Sequence, residues 1–336
     1  MKAVAIRQSL PLTDPNALLD LELAAPVASG RDLLVEVKAI SVNPIDCKMR
    51  MRALPQAGGP KVLGWDAVGV VKAVGPEASL FKVGDEVFYA GDVTRDGSNS
   101  ELQLIDERIV GRKPAKLSWA ESAAVPLTSV TAWEMLFDRL QLPKDDDKAV
   151  LLISGAAGGV GSIMIQLAKA LTKAKVIATA SRETSQAWVS ELGADLVVNH
   201  HQGLANELAN AGISNVTHIA SLTHTHQHFN DFATVIAPQG KICLIDDPAE
   251  PLDIMQLKAK SVSLIWELMF TRSRFQTDDM IEQHNILNQV ADLLDNGRIR
   301  STLQQNLGRI CAENVKQAHL AIESGQTIGK IVLEGF

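Results

Sequence analysis

Val150-Leu-Leu-Ile-Ser154 runs directly into Gly155-Ala-Ala-Gly-Gly-Val-Gly161, after which Ile163, Met164, Leu167, Ala168 and Leu171 recur at helical spacing. A continuous apolar run of this length reads as a strand buried on both faces. A glycine-rich turn follows the strand, and an amphipathic helix leaves the turn, as in the opening of a dinucleotide-binding βαβ unit. The rhythm persists downstream. Apolar β candidates at 176–180, 195–199, 217–222 and 241–246 are separated by stretches long enough for helical crossovers, and a sixth lies at 263–266. Strands alternating with helices predict an α/β fold, a doubly wound parallel sheet of the Rossmann kind, over 123–274.

Residues 1–122 follow another pattern. Leu33, Val35 and Val37 alternate with Leu34, Glu36 and Lys38, as in a half-buried strand. An apolar stretch at 67–74 is closed by Gly75-Pro76, and Phe81-Lys-Val-Gly-Asp-Glu-Val-Phe88 places a Gly-Asp turn between apolar residues, predicting a hairpin. Many short strands with Gly/Pro punctuation predict a mostly β, barrel-like domain. After the sheet come a helix at 278–296, a shorter one at 313–323 and a strand at 329–333. These are too few for a third domain, so 275–336 is expected to return to the first.

The chain has 336 residues, enough for two cores, and 46% apolar with 21% charged residues is ordinary for a globular protein. A net charge of −7 without a Lys/Arg block argues against nucleic acid or anionic membrane as the main partner. The first residues lack a signal-peptide core, and no segment approaches the ~18 uninterrupted apolar residues of a membrane span. Cys47, Cys243 and Cys311 are scattered and make no metal-spaced pair. A cytoplasmic protein is expected.

The glycine-rich turn reads as Ala156-x-Gly158-x-x-Gly161, a dinucleotide fingerprint whose first glycine is alanine. Gly158 lets the backbone approach a pyrophosphate, Gly161 lets the helix pack on the strand, and the helix start at Gly159 and Val160 offers N–H groups to phosphate. In NAD enzymes an acid about 20 residues on binds the ribose 2′-hydroxyl. Here that region is Ala180-Ser181-Arg182. It has no carboxylate to repel a 2′-phosphate, and Arg182 offers a charge-assisted fork for one, so NADPH is the expected cofactor. The plainer reading of Arg182 is a solvated residue paired with Glu183.

With these residues the chain resembles the medium-chain dehydrogenase/reductase superfamily, and within it the zinc-free quinone oxidoreductases that include zeta-crystallin. The resemblance covers essentially the whole chain. It rests on Ser41-Val-Asn-Pro-Ile-Asp46, Gly64-Trp-Asp-Ala-Val-Gly-Val-Val71, Val83-Gly-Asp-Glu-Val87, Pro126-Leu-Thr-Ser-Val-Thr-Ala132, the glycine fingerprint and Gly329-Lys-Ile-Val-Leu333. It implies a GroES-like catalytic domain interrupted by the Rossmann domain. Where zinc-using members carry Cys, His beside Glu, and a second Cys or Asp, this chain has Asn43, Trp65 beside Asp66, and Leu127. No metal is expected from that set. The resemblance also implies that Asn43 lies near the nicotinamide and that Thr128 contacts the cofactor. It places His200, Leu222, Asp246, Trp266 and Lys330 along the cofactor groove. Trp65 is expected to line a substrate pocket. The family's tyrosine two residues after the motif aspartate is Lys48 here, either a proton donor or a solvated residue beside Arg50 and Arg52.

The implied reaction is hydride transfer from NADPH to a quinone or an activated alkene (enone), in a homodimer. A short-chain dehydrogenase needs Tyr-x-x-x-Lys, whereas Tyr89 is followed four residues on by Val93. The alternative is a non-catalytic NADPH-binding structural or sensor protein. Thr223-His-Thr-His-Gln-His228 places His224 and His228 on one face if helical, but with no carboxylate or thiol at ligand spacing it reads as a polar helix start.

Overall fold

The computed structural model describes residues 1–52 and 59–336. It divides into two compact units, Met1–Val130 with Phe270–Phe336, and Thr131–Met269. The edges fall at 130/131 and 269/270, against 122/123 and 274/275 expected from the sequence.

The first unit opens with β1 (Lys2–Ile6), β2 (Leu19–Glu22), β3 (Asp32–Val42), α1 (Pro44–Arg52), β4 (Lys61–Val62), β5 (Ala67–Val74), β6 (Glu86–Tyr89), β7 (Leu102–Asp106) and β8 (Val110–Arg112). The helices α2 (Trp119–Ala123) and α3 (Pro126–Trp133) follow. In β3, Leu33, Val35 and Val37 are buried while Leu34, Glu36 and Lys38 are partly exposed, so the alternation sets its two faces. This strand pairs antiparallel with both β5 and β7 and anchors the unit. The hairpin expected over 81–88 does not form. The Lys82 N–H is taken by the Asp85 carboxylate at 2.9 Å and that of Gly84 by the Val71 carbonyl at 2.9 Å. Those bonds close a turn and leave no ladder before it, so only β6 joins the sheet, against β5.

The second unit contains β9 (Val150–Ser154), α4 (Gly159–Leu171), β10 (Lys175–Thr179), α5 (Glu183–Glu191), β11 (Leu196–Val198), α6 (Leu204–Asn210), β12 (Val216–Ser221), α7 (Thr225–Val235), β13 (Ile236–Leu244) and β14 (Ser263–Trp266). All six strands are parallel, in the order β11-β10-β9-β12-β13-β14. The chain works outward from β9 to one side and then returns to the other. The strand order therefore reverses between β9 and β12, where open α/β sheets bind ligands at their carboxyl ends. Leu152, Ile177, Ile219 and Ile242 fill the core from neighbouring strands, each fully buried.

The chain closes with α8 (Thr271–Phe275), α9 (Glu282–Asp295), β15 (Leu303–Asn306), α10 (Ala312–Glu323) and β16 (Lys330–Glu334), all in the first unit. β16 lies between β15 and β3, antiparallel to β3, which completes the order β15-β16-β3-β5-β6-β8. α9 starts four residues after the expected 278. Asp279 instead accepts from Thr277 Oγ1 at 2.6 Å and from Arg272 Nε at 3.0 Å, holding a turn there. Among the described residues, no helix is long and apolar enough to cross a membrane.

Candidate active site

The residues expected to bind nucleotide lie at the carboxyl edge of the parallel sheet. Gly155, just after β9, has φ +76°, and its N–H donates to Thr179 Oγ1 at 3.1 Å. A Cβ there would lie 2.8 Å from the Thr223 methyl group. The tight-turn glycine is thus Gly155, which the fingerprint reading passed over. Ala156 is fully buried behind it. Its position directly after the strand was the available signal.

The other two glycines divide the work. At Gly158, the N-cap of α4, an added Cβ would meet nothing nearer than a backbone oxygen at 3.6 Å, so the space beside it is open. At Gly161 a Cβ would come within 2.4 Å of the Ala156 backbone, so only glycine lets the helix start seat on the turn. Gly158, Gly159 and Val160 are partly exposed at the first turn of α4, where helix N–H groups lack intrahelical acceptors. These features fit a pyrophosphate.

Ala180, Ser181 and Arg182 follow β10, and the Ala180 N–H bonds the Val198 carbonyl at 3.0 Å. Arg182 is exposed and opens α5, exchanging backbone hydrogen bonds with Ser185 Oγ at 3.2 and 2.8 Å. His200, Leu222 and Asp246 follow β11, β12 and β13, and Trp266 ends β14, so all four stand at the same edge of the sheet. Asp246 is already committed there. It accepts from the Thr225 N–H at 2.9 Å and Thr225 Oγ1 at 2.5 Å, tying β13 to the start of α7.

The first unit gathers Asn43, Asp46, Asp66 and Lys330 into a buried polar cluster. Asn43 precedes α1, Pro44 supplies its first residue, and Asp46 in the first turn accepts from the Asn43 N–H at 2.6 Å. The Asn43 amide is engaged at both ends. Its oxygen accepts from the Lys330 ammonium, and its nitrogen donates to Asp66 Oδ2 at 3.1 Å. Lys330, on β16, also donates to the Val42 carbonyl at 3.1 Å and lies 3.3 Å from Asp66. The second oxygen of Asp66 accepts from the Leu127 N–H at 3.0 Å. Burial raises the pKa of Asp66 and lowers that of Lys330, and their mutual attraction opposes both shifts. Burial pushes Asp46 up to about 7, against the pull of the Asn43 N–H and Lys330.

The expected site residues of the first unit are mostly buried. Asn43 is 1% exposed and its amide is spent inside the cluster, so it presents no ready donor–acceptor pair to a nicotinamide. Trp65 is fully buried and its indole N–H bonds the Asp92 carbonyl at 3.0 Å, making it core rather than the wall of an open pocket. Thr128 is buried and donates to the Val125 carbonyl at 3.1 Å within its own turn. Lys48 is half-buried on α1. Arg50 is not solvated beside it but buried, held by the Leu10 carbonyl at 2.5 Å and by Glu323. Asp46 and Asp66, prominent here, drew no site assignment from the sequence.

The zinc implied for many relatives does not fit these residues. Asn43, Trp65 and Leu127 offer no ordinary ligand, and Asp66, beside Trp65, is occupied by an ammonium, two N–H groups and the Ser41 hydroxyl. Among the described residues no group of three or more His, Cys, Asp or Glu side chains is placed to hold a metal ion.

Residues 29–134 match the alcohol dehydrogenase GroES-like domain and residues 192–333 the zinc-binding dehydrogenase family. A zinc-type alcohol dehydrogenase-like protein of Staphylococcus aureus is 39% identical over 99% of each chain. The 2-methylene-furan-3-one reductase of Solanum lycopersicum is 34% identical over 54% of this chain and 48% of its own. A crystal structure from Rhizobium etli CFN 42, of an alcohol dehydrogenase proposed to depend on zinc, superposes with a TM-score of 0.97 at 53% identity, covering 100% of this chain and 98% of that one. The mostly β unit is accordingly GroES-like, the parallel sheet is the Rossmann counterpart, and the chain belongs to the medium-chain dehydrogenase/reductase superfamily, as an oxidoreductase akin to the zinc-type alcohol dehydrogenase-like proteins.

Proposed function

We propose that this protein is an NADPH-dependent reductase that delivers hydride to a quinone or to the β-carbon of an activated alkene, without catalytic zinc. The observation that carries the reading is that, of the three positions where zinc-using relatives place ligands, Asn43 and the Leu127 N–H are closed into a set with Asp66 and Lys330, and the third is the buried Trp65. In zinc-using alcohol dehydrogenases the metal is the Lewis acid that polarises the substrate carbonyl. An acceptor that is already electron-poor needs orientation and electrostatics instead. The tomato relative's name specifies a 2-methylene ketone, which is such an alkene. Bound NADPH supplies the hydride. The protein's share is to hold it, with Gly158 and Gly161 at the pyrophosphate and Ser181 and Arg182 at the 2′-phosphate. In this reading residues 123–274 form the cofactor domain, the remainder is catalytic, and the protein works as a cytoplasmic homodimer.

The test joins metal analysis to nucleotide titration. Purified protein is expected to hold no stoichiometric zinc, to keep its NADPH–quinone or NADPH–enone activity through chelation, and to bind NADPH more tightly than NADH. Arg182→Asp should reverse that order, since one charge-assisted contact is worth ~1.5–3 kcal/mol, or roughly ten- to a hundredfold. One tightly bound zinc per chain, lost together with activity, would overturn the zinc-free reading, and equal affinities would overturn the cofactor choice.

The engaged amide of Asn43 favours a second reading, a non-catalytic NADPH-binding structural or sensor protein. NADPH binding without oxidation by any member of a quinone and enone panel would decide for it.

A further inference from the structure

We propose that His200, His201, His224 and His228 form a specificity-determining wall for the phosphorylated ribose of NADPH, and that binding the 2′-phosphate draws a proton onto this cluster. The inference rests on the cofactor reading above. The rings come from two elements. His200 and His201 sit in the single 3-10 turn after β11, and His224 and His228 at the start of α7. The ring centroid of His200 lies 4.4 Å from that of His201 and 5.4 Å from that of His228, edge-on to the latter.

The charges that weigh most on His200 are other imidazoles, those of His201, His228 and His224. Burial and these neighbours hold its pKa down to about 4, and burial with the same mutual repulsion lowers His228, opposed only by Asp231. Of the other polar groups on the surrounding elements, Glu207 on α6 accepts from the Asn199 N–H at 3.4 Å and Thr223 Oγ1 contacts His224 Nδ1 at 2.8 Å. Buried Nδ1 atoms of His200 and His226 find no hydrogen-bond partner. Burial and repulsion therefore hold His200 and His228 toward the neutral form, and an anion arriving at the cluster favours the protonated one.

Sheet register says which anion. Thr179 on β10 is level with Val198 on β11, so Arg182 and His200 leave the ends of neighbouring strands, which run ~4.8 Å apart. Arg182 is where the 2′-phosphate is read to sit. No trio of ligating side chains is arranged for a metal among the described residues, which favours the phosphate as occupant.

The sign of proton exchange tests this cleanly. A phosphate monoester has its second pKa near ~6, and a site that prefers the dianion releases protons on binding it. Net uptake must come from the protein. Calorimetric titration of NADPH and of NADH near neutral pH, in two buffers of different ionisation heat, is expected to show more protons taken up with NADPH. The same contrast should appear between 2′,5′-ADP and 5′-AMP. The double variant His200→Asn/His228→Asn should lose the extra uptake and most of the rise in NADPH affinity on acidification, which reaches ~tenfold per pH unit per proton fully linked. A circular-dichroism spectrum and melting temperature like the parent's show that the variant is folded. NADPH preference without extra uptake, or uptake that survives in the double variant, overturns this inference alone. Absence of any NADPH preference overturns the cofactor reading as well.

Discussion

Asp46 is held in two ways that oppose each other. One oxygen is fixed by the Asn43 N–H, which starts α1 correctly, while the other is buried with no partner. Its folded pKa near 7 stands above the unfolded value of 3.8, so the unfolded chain ionises first. The favourable contribution is fully present below the unfolded pKa and is lost as pH rises through the folded one. Asp46→Asn keeps an acceptor for the Asn43 N–H and removes the titration. The variant should melt above the parent at pH 8, with the advantage shrinking toward pH 4, over a range on the order of a few kcal/mol at ~1.4 kcal/mol per pKa unit. Thermal melts across that range check it, and a constant offset between the two proteins would refute it. At this scale the sequence was unevenly legible. The glycine turn could be read because its meaning is local, set by a strand before and a helix after. The Asn43–Lys330 contact joins residues 287 apart, and nothing in either neighbourhood announces the other.

Among the elements, β14 matters most for what it leaves open. It is the last strand on its side of the sheet, and Trp266 at its end is 55% exposed, with Leu268 just beyond at 47%. An unpaired edge carrying large apolar side chains is a template for another copy of itself. The native protein is expected to be a homodimer through this edge, and Trp266→Lys should shift it toward monomer with little loss of thermal stability. Light scattering at micromolar concentration decides, and a monomeric parent would sink the idea. Elements built on hydrophobic period were legible, including β14 itself and the buried face of α9. The hairpin at 81–88 was misread because apolar residues flanking a Gly-Asp pair describe a turn equally well, and the Lys82 and Gly84 N–H groups chose side-chain and cross-strand acceptors.

At the scale of the molecule, the GroES-like unit is assembled from two stretches of chain that the Rossmann unit separates. β16 is the element that joins them, lying between β15 and β3 and bringing Lys330 under Asp66. Ending the chain at residue 328 removes that strand, unpairs Ala39–Val42 of β3 and leaves Asp66 buried without its cation. Loss of an ion-pair partner in such a setting costs about 3–5 kcal/mol before the lost ladder is counted. The truncated protein should therefore show an unfolded GroES-like unit by proteolysis or hydrogen exchange. Normal protection across β3, β5 and β6 would contradict this.

The same strand sets an order of events during synthesis. A ribosome makes β3 and β5 first, then the whole Rossmann unit, and only afterwards β16. Domains generally fold as they emerge, yet the first stretch to appear cannot finish its sheet until the interrupting unit has been made. The nascent protein thus carries an unpaired strand flank and an uncompensated Asp66 through much of its translation, and the segment born second is the first able to complete its fold.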